Sequence, residues 1–271
     1  METALRPLAL VTGASSGIGA AMARELADQG FDLVLTAADD LGGQEGLDGV
    51  ADPLRARVDV QAVQADLRTE DGAAAVYASV TEGGRRLDAA LLNAGIGRGG
   101  GSFVQTPLED HLDVVRLNVL GTVRLAGLLL PDMVAADHGR MLITSSLVAG
   151  MPGSYQLTYN ASKAFLQSFA RGLQHELSDS AVTVTVLMPG PVETPFFRRA
   201  GMAGTLLERA PKEDPATVAR QGVDAMNRGR RTVVGGSLAS QLFAAGLAVT
   251  PGRVRGWMQS AMSKPPRRDA A

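Results

Sequence analysis

The sequence has no cysteine among its 271 residues. This absence excludes a disulfide framework, a thiolate zinc site and a cysteine nucleophile. Aromatic residues make up only 4% of the chain, so the core has to be built from Ala, Val, Leu and Met. The formal net charge is only −2, which gives no reason to expect a nucleic acid partner.

Long hydrophobic runs are also missing. No stretch reaches the ~18 uninterrupted apolar residues that a membrane span needs. Residues 1–7 lack the basic start and apolar stretch of a secretory signal. We therefore expect a cytoplasmic protein with no membrane partner, and we interpret the basic residues after position 251 as a solvated terminus. The histidines His111, His138 and His175 share no metal-ligand spacing, so no metal site is expected.

Short apolar runs alternate with helical patterns along the chain. Their near-continuous apolar character predicts strands buried on both faces, at 8–12, 31–37, 58–64, 87–93, 140–145, 182–188 and 232–235. Apolar residues three and four apart predict helices between them, such as 18–29, 107–133 and 158–178. This order predicts an α/β fold with a doubly wound parallel sheet of about seven strands and helices on both faces. We expect residues 1–271 to form this three-layer αβα structure as a single domain.

A glycine-rich loop follows the first predicted strand and opens the first helix. Gly13 allows a sharp turn, Gly17 removes a side chain where a phosphate would approach, and Gly19 lets the helix sit close to the sheet. The free N–H groups at the helix start favour a pyrophosphate. The loop lacks the Gly-Lys-Ser/Thr ending of a P-loop, which disfavours nucleoside triphosphate chemistry. A turn that is glycine-rich for steric reasons alone is the alternative.

A serine, a tyrosine and a lysine form the most informative set. Tyr159 and Lys163 are four residues apart, so a helix brings them to one face. A nearby ammonium is expected to lower the pKa of the phenol from ~10, so that it can exchange protons with a substrate hydroxyl or carbonyl. Ser146, at the end of the fifth strand, could hold the substrate oxygen. The alternative is an ordinary pair of surface neighbours.

Together these motifs resemble the short-chain dehydrogenase/reductases, in their compact single-domain branch with a Rossmann-like fold. The resemblance covers roughly residues 8–196 and rests on motifs in family order: the loop at 12–19, Asn93-Ala94-Gly95, Asn118, Ser146, Tyr159 with Lys163, and Pro189-Gly190. Any one of these motifs could arise by chance, but the set is highly specific.

The resemblance implies a set of site residues. Catalytic roles fall to Asn118, Ser146, Tyr159 and Lys163. The implied cofactor-binding residues are Gly13, Ser15, Ser16, Gly17, Ile18, Gly19, Asp39, Asp66, Leu67, Asn93, Ala94, Gly95, Tyr159, Lys163, Pro189, Gly190, Val192 and Thr194.

Several of these residues carry distinct roles in the family. Asp66 would touch the adenine, and Asn118 would hold a water that relays protons to Lys163. Lys163 would also bond the nicotinamide ribose. The implied reaction is hydride transfer between the nicotinamide and an alcohol or carbonyl substrate, with Tyr159 as the general acid/base.

The choice between NAD and NADP is normally decided just after the second strand. Here Ala37 stands where the NAD-type aspartate is expected, and Ala38 stands where NADP-type members have an arginine. Ser16 is not the basic residue of many NADP users, and Asp39 and Asp40 would repel a phosphate. The sequence therefore predicts NAD(P), with a lean to NAD.

Segments outside these motifs leave alternatives open. Residues 194–214 resemble the family's substrate lid, and their apolar content indicates a substrate with a hydrophobic body or simply core packing. Residues 251–271 extend past the usual family end and are expected to cover the site or a neighbouring subunit. The glycine-rich stretch 95–101 is either a mobile loop or a set of turns. The acidic pairs Glu109-Asp110 and Glu213-Asp214 are interpreted as solvated faces or helix starts.

Three functional hypotheses follow. The leading one is an NAD(P)-dependent alcohol/carbonyl oxidoreductase that acts on a small molecule. A dinucleotide-binding regulator without catalysis, and an epimerase or dehydratase on the same fold, are the alternatives. A homodimer or homotetramer is expected, because relatives commonly pair the predicted helices at 107–133 and 158–178 between subunits.

Overall fold

Seven parallel strands form one continuous sheet in the order β3-β2-β1-β4-β5-β6-β7. The computed structural model describes residues 6–38 and 46–265 of the chain. The strands are β1 (Leu8–Thr12), β2 (Asp32–Ala37), β3 (Val60–Gln64), β4 (Leu87–Leu92), β5 (Arg140–Thr144), β6 (Thr183–Pro189) and β7 (Thr232–Gly235). The predicted doubly wound sheet is confirmed.

Strand boundaries differ from the predicted ones by at most two residues, and the largest shift has a simple cause. Strand β3 was expected to begin at Val58, but the Val58 N–H donates to the Leu54 carbonyl and finishes the preceding helix. Pairing with β2 begins only at Val60, which lies opposite Leu33. The buried Val58 therefore belongs to the end of the preceding helix and not to the strand that follows it.

Helices cover both faces of the sheet. They are α1 (Gly17–Asp28), α2 (Leu47–Arg55), α3 (Glu70–Thr81), α4 (Leu108–Val114), α5 (Thr122–Ala135), α6 (Leu157–Glu176), α7 (Phe196–Arg199), α8 (Leu206–Arg209), α9 (Pro215–Asn227), α10 (Leu238–Val249) and α11 (Gly252–Ser263). Helices α1, α2 and α9 contribute to the core on one face, and α3, α5 and α6 to the core on the other.

The two core layers explain why the strands read as uninterrupted apolar runs. In β1, Val11 packs into one layer and Leu10 into the other, and both are completely buried. The same alternation occurs in β5 at Leu142 and Ile143. Because each face of a central strand meets a helix layer, both sets of alternating side chains have to be apolar.

The sheet reverses its order between β1 and β4, where crevices form at the carboxyl ends of parallel strands. Thr12 closes this point: its hydroxyl accepts hydrogen bonds of 2.9 Å from the backbone N–H groups of Asn93 and Ala94. One hydroxyl thus joins the ends of the two strands. The crevice above them is the natural place for a ligand.

The predicted helix 107–133 contains an irregularity. Residues Val115–Gly121 form a π-helix between α4 and α5. Gly121 lies where a Cβ atom would come within 2.6 Å of the Leu67 carbonyl oxygen, so the helix approaches the neighbouring loop closely. Wide π turns are uncommon and frequently occur at functional sites. This one carries Asn118.

The composite helix Leu108–Ala135 is long and apolar enough, by length and composition, to cross a membrane. Charged residues such as Arg116 and Arg124 interrupt its apolar run. Its residues Leu125, Leu129 and Met133 are almost completely buried in a core layer. This packing accounts for the apolar residues on the inner side of the helix, whereas Leu112 and Leu120 are exposed.

Candidate active site

A cleft of about 670 Å³ opens at the carboxyl ends of the central strands. It is lined by most of the residues that the sequence predicts for a nucleotide and a reaction centre: Gly13, Ser15, Ser16, Gly17, Ile18, Leu67, Asn93, Ala94, Gly95, Ser146, Tyr159, Lys163, Pro189, Gly190, Val192 and Thr194. Residues from six separate segments of the chain therefore converge on one cavity.

The glycine loop forms a backbone cradle at one end of the cleft. Gly13 and Gly17 have φ of +66° and +57°, a region that L side chains rarely adopt. A Cβ atom on Gly13 would lie 2.9 Å from the Ala94 Cα, and one on Gly17 would lie 2.9 Å from Thr194 Cγ2. Helix α1 begins at Gly17, so its free N–H groups face this cradle. The loop therefore fits a pyrophosphate.

Gly19 does not line the cleft, although the resemblance assigned it to the cofactor. A Cβ atom there would lie 2.1 Å from the Gly13 carbonyl oxygen. Its role in the structure is to let α1 pack directly against the loop that precedes it. Gly19 thus serves the close packing that its place in the loop predicts, and a direct contact with the cofactor stays a prediction.

A polar network fixes the floor of the cleft. The Lys163 ammonium donates a 2.9 Å hydrogen bond to the Thr144 carbonyl at the end of β5. The Thr144 hydroxyl donates to Asn93 Oδ1 at 3.1 Å. The Ser145 hydroxyl donates to the Lys163 carbonyl at 2.8 Å. These bonds tie the ends of β4 and β5 to α6, so the lysine is held in one position.

Asn118 borders the site from behind rather than lining it. It is fully buried, and its side chain exchanges two 2.9 Å hydrogen bonds with the backbone of Ile96. Its Nδ2 also donates to the Ser162 hydroxyl at 2.9 Å. The side-chain amide is thus occupied in fixing the loop after β4. A water held for Lys163 stays a prediction.

Tyr159, Ser146 and Lys163 meet in the cleft, where the sequence predicts the reaction centre. Lys163 Nζ lies 5.8 Å from the centre of the Tyr159 ring. The predicted direction of the Tyr159 pKa was wrong: burial raises it to about 12, and the hydrogen bond with Ser146 opposes this rise only in part. The cost of desolvating a phenolate outweighs the distant ammonium, which is bound to the Thr144 carbonyl instead. Burial also lowers the pKa of Lys163 to about 8.

The buried lysine predicts a specific dependence of stability on pH. An unfolded lysine titrates near pH ~10.4, so between pH 8 and 10 the unfolded chain binds more protons than the folded one and stability rises with pH. The raised pKa of Tyr159 acts only above pH ~10, in the opposite direction. We expect the free energy of unfolding, measured by denaturant titration without added nucleotide, to rise in that window. Lys163→Met should remove most of the rise.

The exposed Lys264 provides the control for this measurement. Lys264→Met removes one ammonium of the same type without touching the cleft, so the rise between pH 8 and 10 should remain. Equal pH profiles for wild type and Lys163→Met would contradict the burial of a lowered-pKa lysine.

The predicted cofactor residue Asp66 does not line the cleft. The Asp66 carboxylate bonds the Arg68 side chain and backbone N–H, and these contacts lower its pKa. Its neighbours Ala65 and Leu67 line the cleft instead. Asp39 lies outside the described residues. Contact of Asp66 with an adenine stays a prediction.

The cleft also contains residues that sequence reasoning missed. Glu213 was interpreted as solvated or as a helix start, but it lines the cleft and accepts hydrogen bonds from Ser237 and Ser240 at 2.7 and 2.6 Å. Those bonds lower its pKa against an opposing effect of burial. Its neighbour Asp214 is the N-cap of α9, as that interpretation allowed. No local motif identifies Glu213, because its partners follow β7.

Arg199 is a second missed residue. Its Nη1 atom lies 3.3 Å from the Ser16 hydroxyl, so α7 reaches across to the glycine loop. The glycine loop has no basic residue at Ser16, and the guanidinium of Arg199 supplies a positive charge beside it. Only the folded chain shows this convergence, since 183 positions separate the two residues.

Apolar side chains line the cleft beside Tyr159. The Phe196 ring lies 5.1 Å from the Tyr159 ring, centre to centre. Phe197, Ala200, Met202 and Leu207 form a buried cluster with which Phe196 and Met262 pack. Met262 belongs to α11, so the region after position 251 contributes directly to the cleft wall.

Comparison with known proteins gives a consistent result. A short chain dehydrogenase family profile matches residues 7–203. The chain is 32% identical to the sulfoacetaldehyde reductase of Chromohalobacter salexigens over 86% of this chain and 85% of that protein. It is 31% identical to the 3-oxoacyl-(acyl-carrier-protein) reductase of Escherichia coli, over 70% and 75% of the two chains.

Solved structures agree in fold. A short-chain dehydrogenase from Sphingobium yanoikuyae in complex with NADPH superposes with a TM-score of 0.78, at 31% identity over 98% of both chains. A Burkholderia phymatum enzyme in complex with NAD gives a TM-score of 0.80 at 22% identity, also over 98% of both chains, and this likeness supports the fold alone. The chain thus belongs to the short-chain dehydrogenases, the nicotinamide-dependent oxidoreductases that interconvert alcohols and carbonyls.

Proposed function

We propose that this enzyme reduces a carbonyl compound with an apolar body, and oxidises the corresponding alcohol, with Tyr159 as the proton donor and acceptor. This proposal rests mainly on the observation that Tyr159, Ser146 and Lys163 lie in the same cleft as the glycine loop. A dinucleotide would extend from the loop at Gly13 and Gly17 towards Pro189 and Gly190. When bound there, its nicotinamide supplies or accepts the hydride.

The protein's own part is to orient the substrate oxygen and move one proton. In reduction, the Ser146 hydroxyl holds the carbonyl oxygen, and the Tyr159 hydroxyl gives it a proton. The high pKa of Tyr159, about 12, keeps the phenol protonated at neutral pH, which is the form that reduction requires. Lys163, with a pKa near 8, is suited to pass the replacing proton to the phenolate.

We propose NAD(P) as the cofactor, with a lean to NAD. Ala37 and Ala38 line the cleft at the positions that usually determine the choice between NAD and NADP. Neither the aspartate that favours NAD nor the arginine that favours NADP is present there. Arg199 beside Ser16 supplies positive charge from the other side. A dissociation constant for NADPH tighter than that for NADH would overturn the lean.

Arg199 is expected to strengthen dinucleotide binding by pairing with a phosphate. Arg199→Met should weaken the dissociation constant of NADH or NADPH, measured by calorimetry, by about three- to tenfold. The adjacent Arg198 is exposed and does not line the cleft, so Arg198→Met is the matched control and should leave the affinity unchanged. Equal nucleotide affinities in the two variants would contradict a role of Arg199 in dinucleotide binding.

Further features of the proposal concern organisation. Residues 1–271 act as one catalytic domain, residues 194–214 as its lid and residues 251–271 as an extension that completes the cleft wall. The contacts of Phe196 with Tyr159 and of Arg199 with Ser16 support the lid.

Exposed apolar residues on the helices predicted to pair, such as Leu112, Leu120 and Phe165, support a homodimer or homotetramer. We also propose a cytoplasmic enzyme, without nucleic acid or membrane partners.

A change in nicotinamide absorbance tests the reaction itself. Purified enzyme is mixed with NADH or NADPH and a panel of aldehydes and ketones that includes sulfoacetaldehyde and 3-oxoacyl thioesters, the substrates named for two relatives. Oxidation of the reduced nucleotide in step with carbonyl loss supports the proposal. Substrate conversion without net nucleotide oxidation would instead indicate an epimerase or dehydratase.

A further inference from the structure

Three polar side chains are buried together where α11 meets the start of α6. Gln156, which precedes α6, donates from Nε2 to the Ser263 hydroxyl at 2.7 Å. Gln259 on α11 donates from Nε2 to the same hydroxyl at 2.8 Å. Gln259 and Ser263 have no exposed surface, and Gln156 is 2% exposed. We call these three residues the amide cluster.

The amide cluster leaves one hydrogen-bonding atom without a partner among the described residues. The buried Oε1 of Gln259 accepts no hydrogen bond, although its Nε2 is bound to Ser263. A buried acceptor without a donor is costly, and in native proteins such an atom calls for a partner such as an ordered water or a ligand. An apolar residue of similar size would avoid the cost. The retention of an amide therefore points to a donor that arrives from outside the chain.

The amide cluster borders the cleft. Gln156 and Gln259 both belong to its lining, as does Met262, one turn after Gln259 on α11. Gln156 is the N-cap residue of α6, three residues before Tyr159. A substrate held at Tyr159 would extend along the same cleft, past the apolar side chains of Phe196 and Met262, towards the amide cluster.

We propose that the amide cluster is a substrate subsite in which Gln259 Oε1 accepts a hydrogen bond from a hydroxyl group of the substrate. This inference rests on the proposed carbonyl reduction at Tyr159 and adds a substrate class to it. The substrate is a hydroxylated ketone or aldehyde, with carbon atoms between its two oxygens that contact the apolar wall. Its reduction yields a diol. For a substrate to reach the buried Gln259 Oε1, Met262 and the lid residues with which it packs have to move aside.

The test compares matched ketones on the enzyme loaded with its reduced nucleotide. In a series of chain lengths, each ketone is used in three forms, with a hydroxyl, a methoxy or a methyl group at the end away from the carbonyl. At the best length, wild type should prefer the hydroxyl form over the methyl form by about tenfold or more in kcat/KM, mainly through KM. The methoxy form should behave like the methyl form, since it has no proton for Oε1.

Substitution of Gln259 identifies the residue responsible. Gln259→Leu should abolish the preference for the hydroxyl form, measured as the ratio of kcat/KM for the hydroxyl and methyl forms within the same variant, and Gln259→Met serves as a second variant if the leucine disturbs packing. Trp257→Leu changes the exposed face of the same helix and should leave the preference intact. An unchanged preference in both Gln259 variants, or no preference in wild type at any length, would overturn the subsite. Methoxy forms as good as hydroxyl forms would overturn the assignment of Oε1 as acceptor.

A binding measurement separates this inference from the proposed reaction. Calorimetry of the same ketones with enzyme loaded with oxidised nucleotide reports the preference without any turnover. Absence of nucleotide oxidation with every ketone would refute the carbonyl reduction. Equal binding of hydroxyl and methyl forms would refute only the subsite.

Discussion

Tyr159→Phe is expected to lower kcat by about 10²- to 10⁴-fold, the usual contribution of a positioned general acid. The substitution removes only the hydroxyl, and the ring keeps its contact with Phe196. Nucleotide affinity should therefore change little. Steady-state kinetics with the best carbonyl found in the panel, together with a calorimetric dissociation constant, check both expectations.

Tyr77→Phe is the matched control for this variant. The Tyr77 hydroxyl donates to Asp132 at 2.7 Å on the protein surface and lies outside the cleft. Its loss should leave kcat unchanged. If Tyr159→Phe turned over the substrate as fast as Tyr77→Phe, Tyr159 would not be the acid/base, and the protein would need another proton donor or another reaction.

Gly19→Ala is expected to have the largest effect on folding and nucleotide binding together. A Cβ atom at this position meets the Gly13 carbonyl oxygen at 2.1 Å, and neither can turn away, because the oxygen belongs to the backbone and the Cβ position is fixed by it. The start of α1 must then separate from the glycine loop. Such overpacking typically costs about 1–3 kcal/mol in the free energy of unfolding. Because the cradle is distorted, nucleotide affinity should also fall, by about tenfold or more.

Gly127→Ala supplies the matched control, since Gly127 is an exposed helix residue of α5 with open space around its Cβ position. There the alanine should stabilise the protein by up to about 1 kcal/mol, because glycine is a poor helix former. Denaturant unfolding and calorimetry of both variants measure the contrast. A Gly19→Ala protein as stable and as tightly binding as wild type would contradict the packing described here.

The sheet was predictable because its strands are buried on both faces, which leaves a strong apolar signal. The glycine loop and the triplet of Ser146, Tyr159 and Lys163 were predictable because their spacing reflects local geometry, a strand end and a helical turn. These signals need no knowledge of distant contacts.

What could not be predicted depends on segments far apart in sequence. Arg199 reaches Ser16, and Ser263 reaches Gln156, only after the sheet has formed. The direction of the Tyr159 pKa was missed for a related reason. The spacing to Lys163 indicates a nearby charge, but not how deeply the phenol is buried or that the ammonium bonds the Thr144 carbonyl.

The π-helical turn at Val115–Gly121 sets the rotational phase of the helix that follows it. A π turn takes up about one residue more than an α turn, and each residue of an α-helix turns the side-chain direction by about 100°. Removal of one residue to regularise the turn would swing Leu125, Leu129 and Met133 away from the sheet. The π-helical turn directs Asn118 at the loop after β4. Its loss would expose Leu125, Leu129 and Met133, so the burial of these residues stabilises the irregular turn.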